Sequence, residues 1–158
     1  YTFFYTVSRF CNDGRFCEYS WLCVSYLSNK LFKKKKMSKL LIRNICQPPD
    51  SNPYGTAHGA WIVKQMAHGG IYMTQLVSKG NAVLVESKVK YKNPMHVGKF
   101  INVYGSIVSV KQSKMIFKIT AMRSEMNQKE VEVAVGEFSY VAINDKNKTR
   151  KFKPNLKI

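Results

Sequence analysis

The feature that most constrains this chain is a change of period near residue 80. From Ala60 to about Val77 the positions Trp61, Met66 with Gln65, Gly69, Tyr72, Met73 and Leu76 recur every three or four residues. That spacing marks one face of a helix of roughly five turns. Ser78-Lys79-Gly80-Asn81 follows, with Gly80 where a helix C-cap favours glycine. Beyond it the period becomes two. Val83, Val85, Ser87, Val89 and Tyr91 are expected on one side, and Leu84, Glu86, Lys88, Lys90 and Lys92 on the other. This is the pattern of a half-buried strand. Residues 100–110, 115–123 and 130–143 read as three further strands, separated by polar turns at 111–114 and 124–129.

Before the helix, residues 38–46 (SKLLIRNIC) read as a short apolar strand. Residues 47–55 must be loop, because Pro48, Pro49, Pro53 and Gly55 forbid regular structure there. Sequential strands joined by tight turns form an antiparallel sheet, and a lone helix can bury itself only against one face of it. The expected class is α+β, a five- to six-stranded antiparallel sheet wrapped around one long central helix, which is the hot-dog arrangement. Residues 146–158 are expected to be a frayed basic tail after a domain spanning 37–145.

Composition qualifies this picture at the N-terminus. The formal charge is +17 over 158 residues. Residues 1–36 hold Cys11, Cys17 and Cys23, ten of the twenty aromatics and no convincing period, and they end in four lysines before Met37. Three readings of this segment stand: a leader ahead of a start at Met37, an organellar transit peptide, or a disulfide or metal module lacking C-x-x-C spacing. Seven Lys/Arg and two Asp/Glu lie in it, so +12 remains on residues 37–158. Such a surplus makes polyanions and phosphate-bearing small molecules plausible partners. Nucleic acid is disfavoured, because the aromatic-basic interleaving of RNA-binding sheets is missing. No stretch of residues 1–36 is long enough to span a membrane, and no membrane partner is expected. Cys46, the one cysteine after Met37, suits a reducing compartment. The expected location is cytoplasmic, or organellar if residues 1–36 are a transit peptide.

The run PPDSNPYGTAHGAWIVKQM (residues 48–66) resembles the hot-dog acyl-CoA thioesterases, in particular the YciA-type enzymes, with the pattern P-x-D-x-N-x-x-G followed by G-G-W-I-x-x-Q-M. Pro48, Asp50, Asn52, Gly55, Gly59, Trp61, Ile62, Gln65 and Met66 match it, and Ala60 replaces the second glycine. The similarity continues through Asn93-Pro94, Val97-Gly98 and residues 138–142, covering roughly residues 40–145.

The resemblance implies hydrolysis of acyl-CoA to free acid and coenzyme A, with no separate cofactor and no metal. It also implies a homodimer or higher homo-oligomer with sites between subunits, and a thioester carbonyl held at the helix N-terminus by Gly59, Ala60 and Trp61. The free amides and dipole there would polarise that carbonyl. The family's water-activating carboxylate falls on Ala67. This departure suggests an alternative that stands second to the hydrolase, a hot-dog module that binds acyl-CoA without efficient hydrolysis. His58, His68, Asp50 and Asn52 are the candidate replacements; for each histidine a neutral packing role is the competing reading. Glu86 and Glu137 sit on strands, Glu137 in phase with apolar positions. Arg123, Lys88, Lys90 and Lys92 are candidates for the coenzyme A phosphates, against the plainer reading of a solvated sheet face. Gly69-Gly70, costly in a helix interior, is read as a packing requirement.

Overall fold

The computed structural model describes residues 38–126 and 128–155. The segment 1–36 and the expected start at Met37 lie outside the described residues. The described chain runs β1 (Lys39–Ile45), a 3-10 turn (Pro48–Asp50), α1 (Gly59–Ser78), β2 (Ala82–Tyr91), β3 (Phe100–Lys111), β4 (Lys114–Ser124) and β5 (Val131–Ala142). The five strands form one antiparallel sheet in the order β1-β3-β4-β5-β2, and the helix packs on one face. This is the expected α+β arrangement.

The helix buries Ile62, Gln65, Met66, Gly69, Gly70, Met73, Thr74, Val77 and Ser78. These meet Val103, Phe117, Ile119, Phe138 and Tyr140 from the sheet in one core. The buried stripe is therefore rotated from the one read in sequence: Trp61 and Leu76 are half-buried and Tyr72 is exposed. A helix facing one twisted sheet buries only the positions aimed at it, and these bulky residues fall on its flanks.

Two boundary expectations are corrected. The helix ends on Lys79, not Gly80: Lys79 is left-handed (φ 51°), and its N–H donates to Gln75 O at 2.9 Å. Gly80 instead lies close under Arg150: a Cβ there would stand 2.5 Å from the mobile tip of its guanidinium. The expected frayed tail is likewise ordered through Asn155. Arg150 N–H donates to Ala142 O (2.8 Å), Phe152 N–H to Gln112 O (3.2 Å) and Asn155 N–H to Val77 O (2.9 Å). Phe152 packs on the core, an anchor hidden by the polar composition around it.

The alternation expected for β2 is broken. Its register against β5 shifts between Leu84 and Glu86, leaving Val85 as the extra residue of a bulge. Directly opposed residues share a face. Ala82, Leu84, Ser87, Val89 and Tyr91 oppose Ala142, Tyr140, Phe138, Gly136 and Ala134, all buried. Val83, Glu86, Lys88 and Lys90 occupy the outer face. β2 is an edge strand and is largely exposed, not half-buried.

Candidate functional site

The site begins with the loop that delivers the helix. Asn52 Oδ1 accepts from the N–H groups of Tyr54 (3.0 Å) and Thr56 (3.2 Å), while its Nδ2 donates to Thr56 Oγ1 (2.9 Å). Gly55 completes this tight turn in the left-handed region (φ 77°), where glycine has no Cβ penalty. Asp50 Oδ2 accepts from Gln47 N–H, and Asp50 O accepts from His58 N–H at 2.9 Å. Ala57 N–H donates to Met95 O (2.8 Å), tying the loop to the segment after β2. Asp50 and Asn52 thus build the scaffold that fixes the start of α1.

At that start, Trp61 and Ile62 donate to His58 O at 3.0 and 3.2 Å. Among the described residues, no acceptor meets the amides of Gly59 and Ala60. Two free N–H groups at the positive end of a 20-residue helix attract a partial negative charge. Beside them opens a cleft of about 350 Å³ lined by Gly59, Ile62, Ala57, Tyr91, Pro94 and Met95, with Thr56, Lys92 and Asn93 at its polar edge. Ile62, Ala57 and Met95 are buried and give it an apolar floor. A Cβ on Gly59 would stand 3.0 Å from Tyr91 Oη, so glycine allows close approach here.

The remaining sequence candidates separate. His58 is the N-cap residue; its imidazole is exposed and makes no capping bond. His68 is exposed and lies nine residues beyond Gly59, about 13 Å along the axis and half a turn away. Lys92 lines the cleft and pairs with Glu132 at 3.0 Å. Arg123 is near it but already engaged: its Nη1 donates to Pro94 O at 2.7 Å, and its Nε is 3.8 Å from Glu125. The neighbouring Lys99, foremost, holds the Glu125 carboxyl below its ordinary pKa. Lys88 and Lys90 lie on the outer face, in a separate groove of about 630 Å³ with Lys118 and Glu137. Glu137 opposes both Lys88 and Lys118, which accounts for its phase without placing it at the cleft. Glu86 pairs with Lys88 at 3.4 Å.

Ala67 is half-buried against the core, and its carbonyl accepts a hydrogen bond from Tyr140 Oη at 2.9 Å. Burial pushes the Tyr140 phenol far above its ordinary pKa, so it stays a donor. Gly69 and Gly70 face Val103, Leu41 and Tyr140, in keeping with the packing reading. Sequence reasoning missed Tyr91, whose hydroxyl donates to Gly59 O at 3.0 Å across 32 residues. Its position just before Asn93-Pro94 was the one available hint. Among the described residues no group of three His, Cys, Asp or Glu side chains converges, and no helix is long and apolar enough to cross a membrane.

Comparison with known proteins places this geometry. Residues 54–130 match the thioesterase superfamily, a span running from the site loop to the turn between β4 and β5. The HI0827 protein, solved as an aspartate-to-alanine variant and described as a hexameric broad specificity acyl-coenzyme A thioesterase, superposes with a TM-score of 0.71. It is 25% identical, over 74% of this chain and 88% of that one. The chain shares the hot-dog fold of these thioesterases and is similar in sequence to them. An uncharacterized acyl-CoA thioester hydrolase of Haemophilus influenzae is 28% identical over 125 residues, covering 75% of this chain and 81% of that protein. Escherichia coli acyl-CoA thioester hydrolase YciA is 25% identical over 116 residues, 70% of this chain and 88% of YciA. The chain thus shares the fold of these solved thioesterases, with Ala67 in its helix.

Proposed function

We propose that this chain hydrolyses acyl-CoA thioesters to a free acid and coenzyme A. The carrying observation is the pair of unbonded amides, Gly59 and Ala60, at the head of α1, where Gly59 lines an apolar-floored cleft. The thioester oxygen would accept from them, and the negative charge that grows there as water attacks is stabilised by donors already in place. The C–S bond then breaks, and the departing thiolate takes a proton. The apolar floor receives the acyl chain. Lys92 lies in a surface ion pair, which contributes only about 0–1 kcal/mol, so it can turn to a coenzyme A phosphate.

Proton removal from water needs a base, and Ala67 supplies none. Asp50 and Asn52 are committed to the loop, and His68 is on the wrong part of the helix. The exposed imidazole of His58, next to Gly59, is the group we assign to that work. The relatives' names support the reaction class, and a reducing, cytoplasmic setting suits the free Cys46.

We further propose that the working unit is a homo-oligomer. Val83, Leu84, Val85 and Tyr91 on the open β2 edge, together with Ile71 and Tyr72 on α1, leave apolar surface exposed. An uncovered edge strand invites a second copy, and HI0827 is described as hexameric.

The test is release of free thiol from acyl-CoA esters of graded chain length by the full chain, native and His58→Ala. Turnover that falls by about 10²-fold or more in the variant, with KM little changed, is expected of a lost base. Bound acyl-CoA with no thiol released would leave a binding module and refute the hydrolase.

A further inference from the structure

We infer that the Tyr91 hydroxyl tunes the amide that receives the thioester oxygen, making Tyr91 a positioning residue of the site. The inference rests on the hydrolase reading for its kinetic consequence, though not for its geometry. Tyr91 ends β2 and, through its register with Ala134, faces the helix side of the sheet. Its Oη donates to Gly59 O at 3.0 Å and lines the cleft beside Gly59 and Ile62. The phenol is not there to fill the core: the residue is 55% exposed, at the mouth of the cleft.

The consequence follows from the covalent structure. The carbonyl of Gly59 and the N–H of Ala60 belong to one planar peptide group. A donor on the oxygen draws electron density towards it and leaves the N–H a stronger donor at the other end. Such chains strengthen each bond by about 10–30%. The same bond restrains the rotation of that peptide, and so the direction of the Ala60 N–H at the head of α1, next to Gly59 on the cleft wall. Carbonyl oxygen has two lone pairs, so Tyr91 can bond Gly59 O without displacing a helical N–H. The fit between the two residues is close: a Cβ on Gly59 would meet Tyr91 Oη at 3.0 Å and Cζ at 3.2 Å. Glycine at 59 therefore admits the phenol as well as the substrate.

The experiment uses the full chain with alanine labelled with nitrogen-15, native and Tyr91→Phe, which keeps the ring and removes only the O–H. Loss of an entire oxyanion donor costs about 10²–10³ in kcat, so weakening and loosening one should lower kcat roughly 3- to 30-fold. KM should stay within about twofold, since the interaction strengthens mainly in the transition state. The Ala60 amide proton should move upfield as its peptide loses polarisation. A change confined to packing would lower the melting temperature and leave both readouts in place. An unmoved Ala60 resonance, or a kcat within about twofold of native, would overturn the proposal. A native chain that hydrolyses no acyl-CoA would instead refute the hydrolase reading, and the Ala60 resonance would still decide whether Tyr91 polarises this amide.

Discussion

Gly69 and Gly70 are adjacent, yet the fold asks different things of them. A Cβ on Gly70 would lie 2.1 Å from Tyr140 Oη and 2.5 Å from Cζ, inside any permitted contact. Gly70→Ala gains helix propensity of about 1 kcal/mol, but it must displace a buried ring and break the Tyr140–Ala67 bond. Overpacking costs about 1–3 kcal/mol and a lost neutral hydrogen bond about 1 more. Destabilisation wins, and the urea midpoint should fall clearly. At Gly69 the new atom meets Val103 Cγ1 at 3.0 Å and Leu41 Cδ1 and Cβ at 3.3 and 3.4 Å, looser contacts than at Gly70. Gly69→Ala should shift the same midpoint by less than half as much. Equal midpoints would mean that the ring at 140 yields freely. The need for small residues here was legible in the sequence, but which glycine mattered more was not, because Tyr140 comes from a strand 70 residues away. The loop was legible in the same partial way. Asp50, Asn52 and Gly55 stood out as a motif; that the first two spend their side chains on turn geometry required the hydrogen bonds.

At the scale of elements, period gave the helix and all five strands to within a residue or two. It failed where one residue is inserted. The bulge at Val85 flips every side chain upstream of it, and a reading of strict alternation cannot see a bulge that no glycine or proline announces. The C-terminal segment was misjudged for a related reason: its order depends on Arg150 and Phe152, two contacts in a polar stretch. Arg150 Nη2 donates to Ser78 O at 3.1 Å, and its guanidinium lies 5.9 Å from the Phe152 ring centroid. A cation bonded to the last carbonyls of a helix also meets the negative end of its dipole. Arg150→Met should therefore cost about 1–2 kcal/mol by urea unfolding. Because charge contributes, the loss should shrink when the titration is repeated in high salt. An identical loss at both salt concentrations would reduce Arg150 to packing alone.

For the whole molecule, a five-stranded sheet with an open β2 edge is unfinished as a monomer. Light scattering at micromolar protein should give a mass at least twice 18.2 kDa, and replacing Val85 with lysine should shift it towards the monomer by setting charges against each other across a paired edge. A native monomer would contradict this part of the account. The central claim is that the head of α1 holds a thioester carbonyl where water can reach it. It is tested most directly by the kcat for acyl-CoA hydrolysis of the full chain, native against Ala67→Asp. A well-placed base contributes about 10²–10⁴-fold, and in the proposed reaction His58 supplies part of that. The account predicts measurable native turnover and a further rise, up to roughly 10²-fold, with KM nearly unchanged. If both proteins bind acyl-CoA and neither releases coenzyme A, the carbonyl is not held at those amides, and the account is wrong.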